Sequence, residues 1–257
     1  MVNTAGHPVR RVGLFITCLS DQFYPRVGVA VVKILEHLGC SVEFPSEQTC
    51  CGQPFYNNGY QADARALAQR FVGVFESFDY VVTPSASCCA MVREHFPGLL
   101  ADDAPLAQRV EALAGRTYEF VEFLDKVLQM NVGSLALPRP TTVSVHHNCH
   151  QRAIGAGDRA VQLLRRIGNV QLRPLEGADQ CCGFGGTFAV KYPQISAAMV
   201  QEKARCIAAA GTQVTISSDA GCTMNIAGMC HRQGIPTQVR HIAELMAEAL
   251  ELELDTW

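Results

Sequence analysis

The sequence has no apolar stretch long enough for a membrane helix, no basic run and no Cys-x2-Cys knuckle. Each absence closes a class of function. A spanning helix needs about 20 consecutive apolar residues, so no direct membrane span is expected. Charged residues make up 18% of the chain and the net charge is −3, which offers nucleic acid no surface. The missing knuckle removes the usual mononuclear zinc motif, whose spacing lets two thiolates converge on one tetrahedral ion. The glycine run after Cys182 lacks the Gly-Lys-Ser/Thr ending of a phosphate loop, so no bound nucleotide is expected. Neither a flavin motif nor an arginine pair for a small carboxylate substrate is present. Residues Met1 to Arg11 carry charges and a proline but no apolar segment before a cleavage site. The expectation is a soluble cytoplasmic protein that meets a membrane only through a partner.

What the chain does have is cysteine, twelve in 257 residues. In a reducing cytoplasm, repeated cysteine spacing points to metal or cluster ligation rather than disulfides. Two vicinal pairs stand out, Cys50-Cys51-Gly52 and Cys181-Cys182-Gly183. Thirty-one residues separate Cys18 from Cys50, and 31 separate Cys149 from Cys181. Cys88 follows the first pair and Cys222 the second, with 36 and 39 residues intervening. The chain is a duplicated four-cysteine constellation.

Hydrophobic patterning repeats with it. Val12 to Thr17 reads as a buried strand ending at Cys18; Pro25 starts a helix that Gly39 stops; Ser41 to Phe44 is a short strand ahead of Cys50. A helix over Gln61 to Phe78 leads to the strand Tyr80 to Thr83 and then to Cys88. Helical patterns, the clearest through Tyr118, Val121, Leu124, Val127 and Leu128, run on to Met130, and Asn131 to Pro140 reads as a linker. The second half replays the first. Strands at Thr142 to His147, Val170 to Leu172 and Val214 to Ser217 precede Cys149, Cys181 and Cys222. A helix over Ala160 to Ile167 is closed by Gly168, another spans Pro193 to Ala210, and a last strand at Thr237 to Val239 precedes a terminal helix. This alternation predicts two tandem Rossmann-like α/β units with parallel sheets, residues 1–135 and 136–257, and cysteines at the carboxyl ends of strands. Ligands collect at that rim of such sheets. Helix N-termini directed there would favour thiolate and an anionic cluster.

Adjacent cysteines in extended backbone project to opposite sides, so a vicinal pair suits two metal atoms of a polynuclear cluster. Gly52 and Gly183 would let the backbone turn closely around bridging sulfides. Cys18, Cys50, Cys51, Cys88, Cys149, Cys181, Cys182 and Cys222 are therefore the candidate ligands. Cys40, Cys206 and Cys230 lie among apolar neighbours and read as buried thiols, and Cys89 has no counterpart beside Cys222. His146, His147 and His150 crowd Cys149. Tuning, proton relay, metal ligation and plain hydrogen bonding to loop backbone all remain open for them.

The double arrangement resembles the cysteine-rich CCG-domain pair of heterodisulfide reductase and of the iron–sulfur subunits of lactate and glycolate oxidation systems. Gln48-Thr49-Cys50-Cys51-Gly52-Gln53-Pro54 and Cys181-Cys182-Gly183-Phe184-Gly185-Gly186-Thr187-Phe188 look most like the lactate utilisation protein A family. No ferredoxin-type cysteine run precedes the first motif, unlike the glycolate oxidase subunit. The resemblance implies an iron–sulfur electron-transfer subunit in NAD-independent oxidation of L-lactate to pyruvate, with other subunits of a lactate-oxidising complex as partners. The cofactor it implies is an iron–sulfur cluster, of the [4Fe–4S] type, up to one per half, with zinc in one site as an alternative. A thiol/disulfide oxidoreductase like the heterodisulfide enzyme and a non-catalytic zinc-stabilised scaffold are the other functions weighed. This sequence departs from the fuller motif, which ends in Cys-x2-Cys. Here Ser85-Ala86-Ser87-Cys88 and Asp219-Ala220-Gly221-Cys222 keep one thiol each, leaving four per half, enough for a cube. A Ser85 or Asp219 oxygen in place of the missing sulfur is the alternative.

Overall fold

The computed structural model of the chain describes residues 10–254; all of the leader reading except Arg10 and Arg11 lies outside them. The chain divides into two compact units, Met1–Leu128 and Gln129–Trp257. Among the described residues no helix is long and apolar enough to cross a membrane.

The first unit holds four strands, β1 (Arg11–Leu14), β2 (Ser41–Glu43), β3 (Tyr80–Thr83) and β4 (Thr117–Glu119). They pair in the order β2-β1-β3-β4, and every pairing is parallel. The second unit repeats this with β5 (Ala136–Val145), β6 (Gly168–Leu172), β7 (Val214–Ser217) and β8 (Gln238–His241), ordered β6-β5-β7-β8. Parallel strands need crossovers, and helices supply them, as the alternation of patterns in the sequence requires. In each sheet the chain moves from its first strand to one side and then returns past it to the other. That reversal makes a switch point between β1 and β3, and again between β5 and β7.

Burial explains the elements. The helix Pro25–His37 starts at a proline and turns Val27, Ala30, Val31, Ile34 and Leu35 inward. The helix Gln61–Phe75 buries Ala64, Ala68, Phe71, Val72 and Phe75. Phe15, just past β1, meets Phe71 and Phe75 edge-on, with ring centroids 4.9 and 5.6 Å apart, geometry that adds to simple area burial. In the second unit the helix Pro193–Ala210 and the helix Ala220–Arg232 bring Val200, Ala204, Ile207 and Ile226 together with Cys206 and Cys230.

Three sequence expectations are corrected. Tyr118 belongs to β4 and not to a helix; the helix begins at Phe120 because Glu119 caps it, its carboxylate accepting from the amides of Val121 and Glu122 at 3.0 and 3.2 Å. A three-residue strand fused to a helix leaves no alternation to read. Asn131 to Pro140 is not all linker, since β5 starts at Ala136. Pro138 and Pro140 fall inside the break in register between Ala136 and Thr141, where the missing N–H groups cost no ladder bond. Gly168 opens β6 instead of closing a helix, which ends at Leu164.

Candidate metal centres

In the first unit every cysteine of the constellation lies beyond the carboxyl end of a strand. Cys18 is the first residue of a helix (Cys18–Phe23) after β1, Cys50-Cys51 occupy the loop after β2, and Cys88 sits in the first turn of a helix (Ala86–Ala90) after β3. Cys18 and Cys88 thus flank the switch point. Their sulfurs join in a chain: Cys18 Sγ lies 3.9 Å from Cys50 Sγ, and the Cys51 thiol is hydrogen-bonded to both Cys50 and Cys88.

The second unit builds the same rim. Cys149 begins the helix Cys149–Ala153 after β5, Cys181-Cys182 follow β6, and Cys222 lies in the first turn of the helix Ala220–Arg232 after β7. Cys149 is hydrogen-bonded to Cys181, Cys181 to Cys182, and Cys182 Sγ is 2.9 Å from Cys222 Sγ. All eight candidate residues are brought together, four to a unit.

The vicinal pairs face two ways, as extended backbone requires. Cys51 and Cys182 are each 3% exposed and packed in the core, whereas Cys50 is half-buried and Cys181 exposed. Charge settles on the outward member. Hydrogen bonds from Cys18 and Cys51, with the amide of Gly52 at 3.4 Å, lower the Cys50 thiol to about 3. Bonds from Cys149 and Cys182, with the Gly183 amide at 3.4 Å, lower Cys181 to about 2. Cys18 and Cys149 move up, chiefly because each donates to that thiolate and also because burial disfavours their own charge.

Gly52 and Gly183 also meet a requirement of the fold itself. Both adopt left-handed backbone, φ +82° and +80°. A Cβ on Gly183 would stand 2.8 Å from the Ser196 carbonyl oxygen, and one on Gly52 3.3 Å from a Leu67 methyl. The glycines let each cysteine loop press against a helix. The oxygens weighed as replacement ligands serve as helix caps: Ser85 Oγ accepts from the Cys88 amide at 3.2 Å and Asp219 Oδ1 from the Gly221 amide at 3.1 Å. Cys40, Cys206 and Cys230 are core thiols, and Cys89 is fully buried with its sulfur toward the Thr117 carbonyl.

The rims differ in how the loop is tied to the central strand. In the first unit Gln48 reaches across: its Oε1 accepts from the Ile16 amide at 2.9 Å and its Nε2 donates to the Leu14 carbonyl at 3.0 Å. In the second, the backbone carbonyl of Ala178 accepts from the His147 amide at 2.9 Å. Of the three histidines near Cys149, His146 is 1% exposed, His147 Nδ1 lies 3.7 Å from Asp158 Oδ1, and His150 Nδ1 lies 3.5 Å from Cys149 Sγ. Sequence reasoning assigns Gln48 no role, and its one signal is its place two residues before the vicinal pair.

Residues 12–93 and 143–227 each match the cysteine-rich CCG domain family. The chain is 44% identical over 243 residues to a protein from an Exiguobacterium species named lactate utilization protein A, covering 93% of this chain and 98% of that one. It is likewise 44% identical over 237 residues to the lactate utilization protein A of Bacillus subtilis strain 168, covering 92% and 98%. Among solved structures, a hypothetical protein from Helicobacter pylori aligns with a TM-score of 0.63 at 10% identity, over 96% of this chain and 50% of that one. This last likeness concerns the fold alone.

Proposed function

The chain belongs to the CCG cysteine-rich family, within its lactate utilization protein A group, and on that premise we propose that it serves lactate utilisation as an iron–sulfur electron-transfer subunit of an NAD-independent L-lactate-oxidising complex. The observation that carries this reading is the pair of four-thiol rims, each assembled at a switch point from three separate strand ends. Cys18, Cys50, Cys51 and Cys88 would hold one cluster and Cys149, Cys181, Cys182 and Cys222 the other. The donor set fits: thiolates are the ligands such clusters take, and four suffice for a cube.

A cluster bound there would supply one-electron transfer. The protein's own part is to gather and deprotonate the sulfurs, keep one side of the rim dry and leave the other open. The amides of Gly52 and Gly183 and the first turns of the cysteine-bearing helices favour anionic sulfur. Cys51 and Cys182 sit against the cores, while exposed Cys18 and Cys181 face outward, where an electron partner can approach. Phe23 and Phe55, on the short helices beside the first rim, are 61% and 40% exposed. Apolar residues of this kind suit docking of other subunits of the complex.

Anaerobic purification with iron and acid-labile sulfide measured per chain tests the reading, together with Cys51→Ser and Cys181→Ser. The expected result is a visible absorption band that weakens in each variant, with loss of growth on L-lactate. Full iron content and growth in both variants would overturn it. Zinc in the second rim is the other outcome with an observation behind it, since His146, Cys182 and Cys222 offer ligand atoms within 4.8 Å of one another; stoichiometric zinc without iron would replace the redox role by a structural one.

A further inference from the structure

The two rims correspond cysteine for cysteine, yet the residue that leaves the central strand toward the rim differs. Phe15 N donates to the Val82 carbonyl at 2.9 Å, and His146 N donates to the Ile216 carbonyl at 2.8 Å. Val82 and Ile216 pair with Leu14 and Val145, so Phe15 and His146 occupy the same place in the two sheets. Phe15 spends its ring on the aromatic core. His146 is buried just as deeply and carries two nitrogens there.

One of them is accounted for. Nδ1 lies 3.2 Å from the Ala178 carbonyl oxygen, to which only an N–H can donate, so Nδ1 carries the proton and Nε2 the lone pair. Nε2 is buried and has no hydrogen-bond partner. An acceptor left unpaired in the interior is destabilising, and a metal ion would offset that. A ring nitrogen of His146 and the sulfurs of Cys182 and Cys222 all lie within 4.8 Å of one another. Donation of the far ring N–H to a backbone carbonyl is the arrangement that orients metal-ligating histidines.

We propose that His146 Nε2 is a ligand of the metal held by the second rim, which makes that site mixed imidazole–thiolate while the first is thiolate-only. The inference rests on the reading that the rims hold metal, and it deepens it: the sites are chemically unequal. Imidazole beside thiolate suits zinc and cluster iron alike, and it brings one negative charge fewer than a fifth sulfur would.

The test uses the full chain, stripped of metal and titrated anaerobically with Co2+ alone. Thiolate-to-cobalt charge-transfer absorption reports the rims, and proton NMR of the cobalt-loaded chain, with 15N-histidine labelling, reports coordinated imidazole. A strongly shifted N–H resonance that splits on labelling is expected in the unsubstituted chain and in His147→Ala and His150→Ala. In His146→Ala it should vanish, with Co2+ affinity of the second rim at least about tenfold weaker. Since the resonance is read without substitution, a misfolded His146→Ala leaves the unsubstituted chain and the two control variants to decide. Charge-transfer absorption without a shifted imidazole resonance, or a resonance that survives in His146→Ala, overturns this inference alone. No cobalt at either rim overturns it together with the proposed function.

Discussion

The sulfurs of Cys182 and Cys222, 40 residues apart in sequence, lie 2.9 Å from one another at the carboxyl ends of β6 and β7. In the first unit the Cys18 and Cys50 sulfurs are 3.9 Å apart. Thiols held this close are poised to oxidise to one another when no metal occupies them. Attack comes from a thiolate that the oxidant can reach, so in the metal-free chain a mild oxidant should link exposed Cys18 to the Cys50 thiolate before it links Cys182 to Cys222, whose thiols are both pushed up, and prior loading with metal should protect both pairs. Peptide mapping by mass spectrometry after timed oxidation checks the order; random linkage, or linkage unaffected by metal, contradicts it.

Gly183 and Gly186 both have positive φ, but only Gly183 is hemmed in, by the Ser196 carbonyl oxygen at 2.8 Å and Met199 Cβ at 3.0 Å from a built Cβ. Nothing lies within 4 Å of a Cβ at Gly186. Gly183→Ala should destabilise the protein by about 2–3 kcal/mol, strain and collision together, and Gly186→Ala by about 1 kcal/mol from strain alone. Urea midpoints of the two variants measure the gap. Equal midpoints would show that the loop yields without cost.

Cys88 and Cys89 are neighbours with opposite duties. Cys88 hydrogen-bonds to Cys51 at the rim, while Cys89 points to the Thr117 carbonyl and is fully buried. Cys88→Ala should empty the first rim of metal and spare the second. Cys89→Ala should leave metal content unchanged and cost about 1 kcal/mol of stability through the lost sulfur contacts. Metal analysis and denaturation of both variants decide the matter.

Arg109 grips Glu76 with both arms of its guanidinium, at 2.7 and 2.8 Å. That hydrogen bond, with the charges of Arg109 and Arg116, holds the Glu76 carboxyl below its ordinary range. A carboxyl with its folded pKa lowered adds stability above its unfolded pKa and loses it as pH falls through the folded value. Because the pair is exposed to solvent, the contribution is small and screened by salt. Glu76→Gln should be weaker than the unsubstituted chain at pH 7, and the difference should shrink as the solution is acidified below pH about 4. A difference independent of pH would assign the effect to packing.

Much of the fold is readable from the chain alone. Cys18, Cys50 and Cys88 each trail a short apolar run, and their partners in the second half do so at a near-constant offset, so strand ends and thiols are placed together by pattern. Local signals fail where an element is too short or too contradictory to show its period. Thr117–Glu119 is three residues long, and β5 contains two prolines that are tolerated only because they fall in a bulge. At the candidate sites, the opposite facing of Cys181 and Cys182 follows from backbone alternation. The Gly183 requirement does not, because the atom that crowds it belongs to a helix more than ten residues further on.

The three histidines around Cys149 show where the boundary lies. Their identity and crowding are properties of the chain, and on composition alone they are interchangeable. Only the folded sheet buries His146, places the Ala178 carbonyl 3.2 Å from its Nδ1 and leaves Nε2 without a hydrogen-bond partner, while it gives His147 an aspartate and His150 a neighbouring sulfur. Spacing and periodicity decided which residues reach the rim, since strand ends and helix starts are local matters. Which nitrogen keeps a lone pair, and which cysteine keeps a proton, depends on atoms 32 to 40 residues distant, and tertiary packing alone brings those within bonding range.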